Sequence, residues 1–293
     1  MDGIIVADKP TGWTSHDLVN KLRRLAGTRK VGHLGTLDPM ATGVLPLVIG
    51  RATRLAQFYT QSDKVYEARV RFGFSTDTYD AEGTATSAPC EPTIEADDLE
   101  RHLDAFRGDF LLRPPPVSAK KIRGVPAYKL ARQHVEVDLK PVPVTVHELR
   151  LVKIEGSEAE LVAHCSAGTY LRSIAHELGE ALGCGAHLSA LRRVRAGDFS
   201  IEQARTVPQL EKLAAEDRIT EALMRAADLL PAFPSVVLDP ASAGQVRQGR
   251  DFHVSPFRVG QGTRYVKALS GDGDLLAIGE AKLPNIYHPV VVL

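Results

Sequence analysis

One carboxylate, Asp38, stands in the run Gly32-His33-Leu34-Gly35-Thr36-Leu37-Asp38-Pro39-Met40-Ala41-Thr42-Gly43, a segment with little side-chain bulk. Glycines let a ligand come close to the backbone, and Pro39 biases Asp38 away from helical geometry. A carboxylate fixed on such a loop, at the edge of the apolar run Val44 to Ile49, suits nucleophilic chemistry. A tight turn with a capping aspartate fits the same residues. No P-loop lysine and no Gly-x-Gly-x-x-Gly fingerprint accompany the glycines, which argues against nucleotide binding.

Four other side chains invite two readings each. Tyr66 lies on the apolar face of an alternating segment, either as a core tyrosine or as an aromatic at the mouth of a cleft that stacks on a base. Arg172 falls in the first turn of a helix if Thr169 caps it, where the helix dipole disfavours a cation. A neighbouring anion would resolve that conflict, and a pairing with Asp38 would keep the carboxylate ionised and aimed. His33 has the chemistry to stack on or hydrogen-bond RNA, or it is structural. Lys9, before Pro10, is a phosphate contact or a turn residue.

These residues need elements to position them. Ile4 to Ala7 reads as a buried strand and Lys9-Pro10-Thr11-Gly12 as a turn. Thr14 or Ser15 caps an amphipathic helix through Leu18, Val19, Leu22 and Leu25 that ends at Gly27. A helix is predicted from about Ala52 to Tyr59, then a strand in which Tyr66, Ala68, Val70 and Phe72 share one face. Thr93 is the expected cap of a helix carrying Leu99, Leu103 and Phe106. Arg113 to Lys121 reads as an ordered loop or arm, followed by strands at 142–146, 149–154 and 160–165 and a helix over 170–182. Pro231-Ala232-Phe233-Pro234 is the best linker candidate, dividing residues 1–230 from a small β-rich unit at 235–293 with a Gly-Asp-Gly hairpin at 271–273. Irregular alternation of strands and helices favours an α+β fold over a doubly wound sheet.

The chain has 293 residues with 36 basic and 36 acidic side chains, so its net charge is zero. The distribution is uneven: Lys21 to Lys30, Arg113 to Arg132 and Arg192 to Arg195 are basic runs, while acids gather near residues 95 and 215. Such segregation favours a surface for a polyanion. No apolar run reaches membrane-span length and the N-terminus lacks a signal-peptide pattern, so a cytoplasmic location is expected. Cys90, Cys165 and Cys184 are far apart, and Cys184 with His187 lacks a second ligand pair, so no metal site is expected.

Six segments in order resemble the TruB family of bacterial tRNA pseudouridine-55 synthases. They are Asp8 to Ser15, Val31 to Pro46, Ser75 to Gly83, Arg113 to Lys121, Cys165 to Ile174 and Gly185 to Arg193. Beyond Pro231 the resemblance is looser, to that family's small PUA-like RNA-binding domain. The resemblance implies a pseudouridine-synthase fold with a mixed, mostly antiparallel sheet. It also implies a cofactor-free isomerase acting on the T-loop and T-stem of tRNA, acting as a monomer. Asp38 then matches the nucleophile, Tyr66 the tyrosine that stacks on the target base and is a candidate for the C5 proton, and Arg172 the nucleophile's partner. His33, Tyr170 and Leu191 match residues that contact RNA or line the uracil pocket, and Lys9 belongs to a supporting lysine–proline pair. The arm at about 113–135 matches a segment that closes over RNA. Two alternatives stand beside catalysis: a non-catalytic tRNA-binding or tRNA-folding protein of the same fold, and a hydrolase using Asp38 with Asp80 or Glu82.

Overall fold

The computed structural model describes residues 1–117, 139–260 and 262–293, together with the backbone of 121–122 and 125–126. Most of the expected arm therefore lies outside the described residues.

The first half contains β1 (Gly3–Lys9), α1 (Ser15–Leu25), β2 (Val31–His33), β3 (Thr42–Ile49), β4 (Lys64–Phe72), α2 (Ala96–Leu103) and β5 (Gly108–Leu112). The two-residue strands β6 (Lys121–Ile122) and β7 (Val125–Pro126) precede the long β8 (Val142–Glu155), then β9 (Glu158–Cys165), α3 (Leu171–Ala181) and β10 (Ala186–Ala196). Short pieces β11 (Phe199–Ser200) and β12 (Arg205–Thr206) lead to α4 (Val207–Ala215) and β13 (Met224–Arg225). The last unit holds β14 (Ser235–Val237), α5 (Pro240–Arg247), β15 (Phe252–His253), β16 (Tyr265–Leu269), β17 (Leu275–Leu283) and β18 (Ile286–Val292).

Among the described residues, the main sheet has the order β12-β1-β3-β10-β4-β9-β8-β5, with β11, β13 and β2 attached at its flanks. Two pairings are parallel, β1 with β12 and β3 with β10; the other pairings of this sheet are antiparallel. The fold is thus α+β with a mixed, mostly antiparallel sheet. The strands that carry the cleft, β3, β10 and β4, lie side by side at its centre.

Local sequence explains most elements. Thr14 caps α1 in a reciprocal capping box with Asp17, and Gly27 takes the left-handed φ of 60° that ends it. In β4 the alternating residues Tyr66, Ala68, Val70 and Phe72 are buried, as the period-two pattern requires. Three expectations are corrected. The segment Gly50–Tyr59 is a 3-10 helix, and α2 is capped by Glu95 rather than Thr93. The two strands read over 142–154 are one, bent by an irregular register between Val146 and Glu148.

The second sheet, order β14-β16-β17-β18-β15, curls around α5. The stretch after Leu229 is no free linker. Leu229 and Leu230 are buried, the Leu230 N–H donates to the Tyr59 hydroxyl at 2.9 Å, and Phe233 stacks on Tyr265 with Phe58 edge-on to both. One apolar cluster runs from Ile4, Val6 and Val48 of the main sheet to Ile278 and Val291 of the second. The charge segregation read along the chain is partly undone in space, where Lys21 pairs with Glu211, and Arg192 with Asp8 at 2.9 Å.

Candidate active site

The loop between β2 and β3 is built from both sides. Gly35 and Gly43 adopt φ of 94° and 100°, a region that costs other residues strain. A side chain at Gly43 would also meet the Arg193 carbonyl oxygen at 2.2 Å, so glycine there lets β3 lie against β10. The buried hydroxyl of Ser15 clasps Leu37, donating to its carbonyl at 3.1 Å and accepting its N–H at 2.9 Å. The Gly12 N–H donates to the Pro39 carbonyl at 2.9 Å, and the Ala41 N–H to that of Asp38 at 3.1 Å. Asp38 thus stands on a loop braced at each neighbour, its side chain 36% exposed.

Arg172 lies in the first turn of α3, whose N-cap is Tyr170 rather than Thr169. Its side chain is 4% exposed, and its Nε is 2.9 Å from Asp38 Oδ2, an ion pair in which the N–H is not aligned as a hydrogen bond. Nη1 lies 3.3 Å from Asp80 Oδ2 and donates to the Thr78 carbonyl at 3.0 Å; Nη2 donates to the Val117 carbonyl at 2.9 Å. Two carboxylates and two carbonyls therefore surround the cation that the helix dipole disfavours. Asp80, itself buried, accepts from the Thr78 hydroxyl at 2.6 Å and the Glu82 N–H at 3.1 Å, which fixes its direction.

Asp38 faces a cleft of about 270 Å³ walled by Tyr66, Tyr170, Arg172, Leu191 and the turn Ser166 to Thr169. The register places Tyr66 beside Arg193 and Leu191 beside Ala68, so β4 and β10 supply adjacent parts of one wall. Burial pushes the Tyr66 phenol up, with Arg193 opposing the shift, which keeps the ring neutral near pH 7. Apolar ring, apolar side chain and a positioned carboxylate in one cleft can hold a flat base and attack the sugar or ring attached to it.

Of the residues singled out in the sequence, Asp38, Tyr66, Tyr170, Arg172 and Leu191 share this cleft. His33 and Lys9 do not line it. His33 ends β2, half-buried, and its imidazole is pushed down by burial, then by Arg193 and His16, against the Gly35 backbone. Lys9 is fully buried and has no surface to offer a substrate. Its ammonium donates to the carbonyls of Pro10, Trp13 and Pro39 at 2.9, 2.6 and 3.1 Å. Burial pushes it down to about 8, with Asp38 and Glu82 opposing.

Sequence reasoning missed Arg193. Grouped with a surface cluster, it is 1% exposed and donates from Nε to the Val44 carbonyl at 2.8 Å and from Nη2 to that of Gly35 at 3.0 Å. The strand period held the clue, because Arg192 and Arg193 must face opposite sides of a sheet. Lys64, mostly buried, also lines the cleft, and its position could have been read from the same alternation. Cys184 and His187, the metal-like spacing, do not converge on a ligand: His187 is buried against the Phe74 ring, its Nδ1 3.1 Å from the Phe74 carbonyl.

Residues 23–171 match the model of the TruB family pseudouridylate synthase N-terminal domain, and residues 172–232 that of the tRNA pseudouridylate synthase B C-terminal domain. The tRNA pseudouridine synthase B of Solibacter usitatus (strain Ellin6076) is 62% identical over 293 residues, covering 100% of both chains. The protein of the same name from Syntrophotalea carbinolica is 43% identical over 95% of this chain and 91% of the relative. Among solved structures, a chain of a Cbf5-Nop10-Gar1 complex superposes with a TM-score of 0.71 at 27% identity, over 96% of this chain and 78% of that one. A chain of an H/ACA RNP bound to a substrate RNA containing 2'-deoxyuridine gives 0.70 at 25% identity, over 96% and 78%. The chain therefore belongs to the TruB family of pseudouridylate synthases.

Proposed function

We propose that the protein isomerises uridine 55 in the T-loop of tRNA to pseudouridine, with Asp38 as nucleophile. The observation that carries this reading is the Asp38–Arg172 ion pair at 2.9 Å inside a cleft that Tyr66, Tyr170 and Leu191 shape for a base. The curated relatives named tRNA pseudouridine synthase B support tRNA as the substrate.

The reaction breaks the bond from N1 to the ribose C1′, turns the uracil and joins C5 to C1′. The C5 proton leaves and N1 gains one, so mass is unchanged and no redox partner or group donor enters. Asp38 needs positioning, which the braced loop and Arg172 supply. Reaching the uridine requires flipping it from the T-loop at a cost of a few kcal/mol, offset by stacking on Tyr66 worth ~1–3 kcal/mol. A neutral, buried phenol supports the stacking role of Tyr66 more than a role as C5 base. Tyr170 and Leu191 close the uracil pocket, His33 contacts the RNA, and Lys9 acts from beneath by holding the loop.

Residues 1–230 carry the chemistry in this reading, and 235–293 add RNA contacts. The protein works as a monomer in the cytoplasm; among the described residues no helix is long and apolar enough to cross a membrane. A hydrolase is disfavoured because Asp80 is held by Arg172, while Glu82 lines a different depression with Met40, Thr42 and Arg192.

The test is incubation with unmodified tRNA and mapping of pseudouridine, with Asp38→Asn alongside. A new pseudouridine at position 55 at constant RNA mass is expected from the wild type alone. An untouched T-loop uridine, free uracil, or full activity in Asp38→Asn would each defeat the reading.

A further inference from the structure

Outside the cleft, three side chains distant in sequence meet at one point. Asp63 occupies the turn before β4, His147 lies on β8 and His164 on β9. Asp63 Oδ2 is 3.1 Å from His147 Nε2 and 3.7 Å from His164 Nε2, and one donor atom from each residue lies within 4.8 Å of the others. The two rings are inclined at 48° with centroids 4.7 Å apart, so they converge rather than stack.

The backbone explains the convergence. Val65 of β4 and Glu148 of β8 both pair with His164, and the register between β8 and β9 shifts between Val146 and Glu148, leaving His147 as the extra residue. A bulge re-aims a side chain and is often kept for that purpose. Here it carries His147 outward, beside His164, while Val146 and Cys165 stay in the core. Asp63 is anchored by its carbonyl, which accepts the Gly197 N–H at 2.9 Å.

We propose that Asp63, His147 and His164 form a binding site for a divalent transition-metal ion, with zinc as its occupant. In a tetrahedral zinc site with bonds of ~2.0–2.1 Å, neighbouring donors stand about 3.4 Å apart, the separation that the Asp63 contacts bracket. Imidazole donors select zinc and its neighbours over magnesium or calcium. A simple imidazole–carboxylate pair needs one histidine, whereas here two rings converge on one carboxylate oxygen. Imidazoles and a carboxylate are ordinary ligands of such an ion. The side chains are 37–43% exposed, so water completes the coordination. Bound zinc ties the residue before Lys64 to the residue before Cys165, the two strand ends that lead into the cleft wall. Neither linear spacing nor the Cys184–His187 pair reveals the site, because its ligands come from three separate elements.

The full chain, freed of metal by a chelator, is titrated with zinc alone against a chromogenic competitor, and with cobalt for its d–d absorption. One zinc bound at micromolar concentration is expected, with a cobalt spectrum of four-coordinate type. Affinity falls more than about tenfold in His147→Ala, in His164→Ala and in Asp63→Asn. Asp63→Asn preserves shape and decides the matter if a histidine variant fails to melt like the wild type. Cys90 and Cys184 are the competing ligands, with Cys90 Sγ 3.8 Å from the Cys184 carbonyl. The double variant Cys90→Ser/Cys184→Ser retains the site. The proposal is overturned if zinc binds only at millimolar concentration, if the three variants bind as the wild type does, or if binding vanishes in the cysteine variant instead.

Discussion

Two stretches of irregular backbone, Gly35–Pro39 at the cleft and Ala227–Leu230 at the seam with the second sheet, are pinned by the same device in different surroundings. In both, buried cations collect main-chain carbonyls. Lys9 takes those of Pro10, Trp13 and Pro39, and Arg193 those of Val44 and Gly35. At the seam Lys267 takes the carbonyls of Ala227 and Leu229, each at 3.0 Å. The seam then adds an apolar cluster and three packed rings, Phe58, Phe233 and Tyr265. At the cleft the loop packs Leu37 and Ala41 inward, while the side bearing Asp38 stays open. Polar bracing thus stands in for packing where a surface must stay open, and both regions obey the requirement that buried carbonyls find donors.

The largest break in this comparison is chemical. Asp38→Asn keeps the brace and removes the proposed nucleophile, so pseudouridine formation should fall by about 10⁴-fold or more. Thermal stability and tRNA binding should stay near wild type, as melting and filter-binding measurements would check. Removing a brace acts on the fold instead. Arg193→Met strands the carbonyls of Val44 and Gly35, and a loss of about 2–5 kcal/mol is expected by denaturant titration. Phe233→Ala at the seam should cost less, about 2–3 kcal/mol, and leave single-turnover activity on tRNA within a few fold, because Phe233 packs on Phe58 and Tyr265 and does not line the cleft.

The smallest effect is a slope. Burial lowers Lys9 from its ordinary 10.5 to about 8, so above pH 8 the folded chain holds fewer protons than the unfolded one. Stability therefore gains from this residue as pH rises from about 8 toward 10.5, and the gain is lost again as pH falls through 8. Lys9→Met should flatten that rise in urea titrations at pH 7.5 and 9.5; an unchanged slope would separate Lys9 from it. Salt sharpens the functional side, since tRNA affinity should fall with a log–log slope of about −0.7 per phosphate neutralised on single-stranded elements.

Much of this was legible beforehand. The alternation of Tyr66, Ala68, Val70 and Phe72 predicts β4 and its buried face, and the awkward place of Arg172 on its helix predicts an anion, which proves to be two, Asp38 and Asp80. Periodicity is local, and so are these inferences. Arg193 was read as surface because charge clusters are counted along the chain, whereas burial depends on what a strand meets across the sheet. The sequence leaves Lys9 as a phosphate contact or a turn residue, because nothing nearby reveals that Pro39 bends back over it. The seam around Phe233 looked like a linker because proline-rich segments signal turns, and the aromatic partners that hold it down lie at 58 and 265.

The placement of β10 between β3 and β4 has a temporal consequence. Arg193 bonds Val44 across 149 residues of chain, so the loop bearing Asp38, held early by Ser15, Gly12 and Lys9, gains its last brace only when the ribosome has made most of the protein. At roughly 5–20 residues per second, that interval is on the order of ten to thirty seconds. A nascent chain holding every residue of the loop still lacks the wall that Leu191 and Arg193 give the cleft, and that wall arrives with a single late strand.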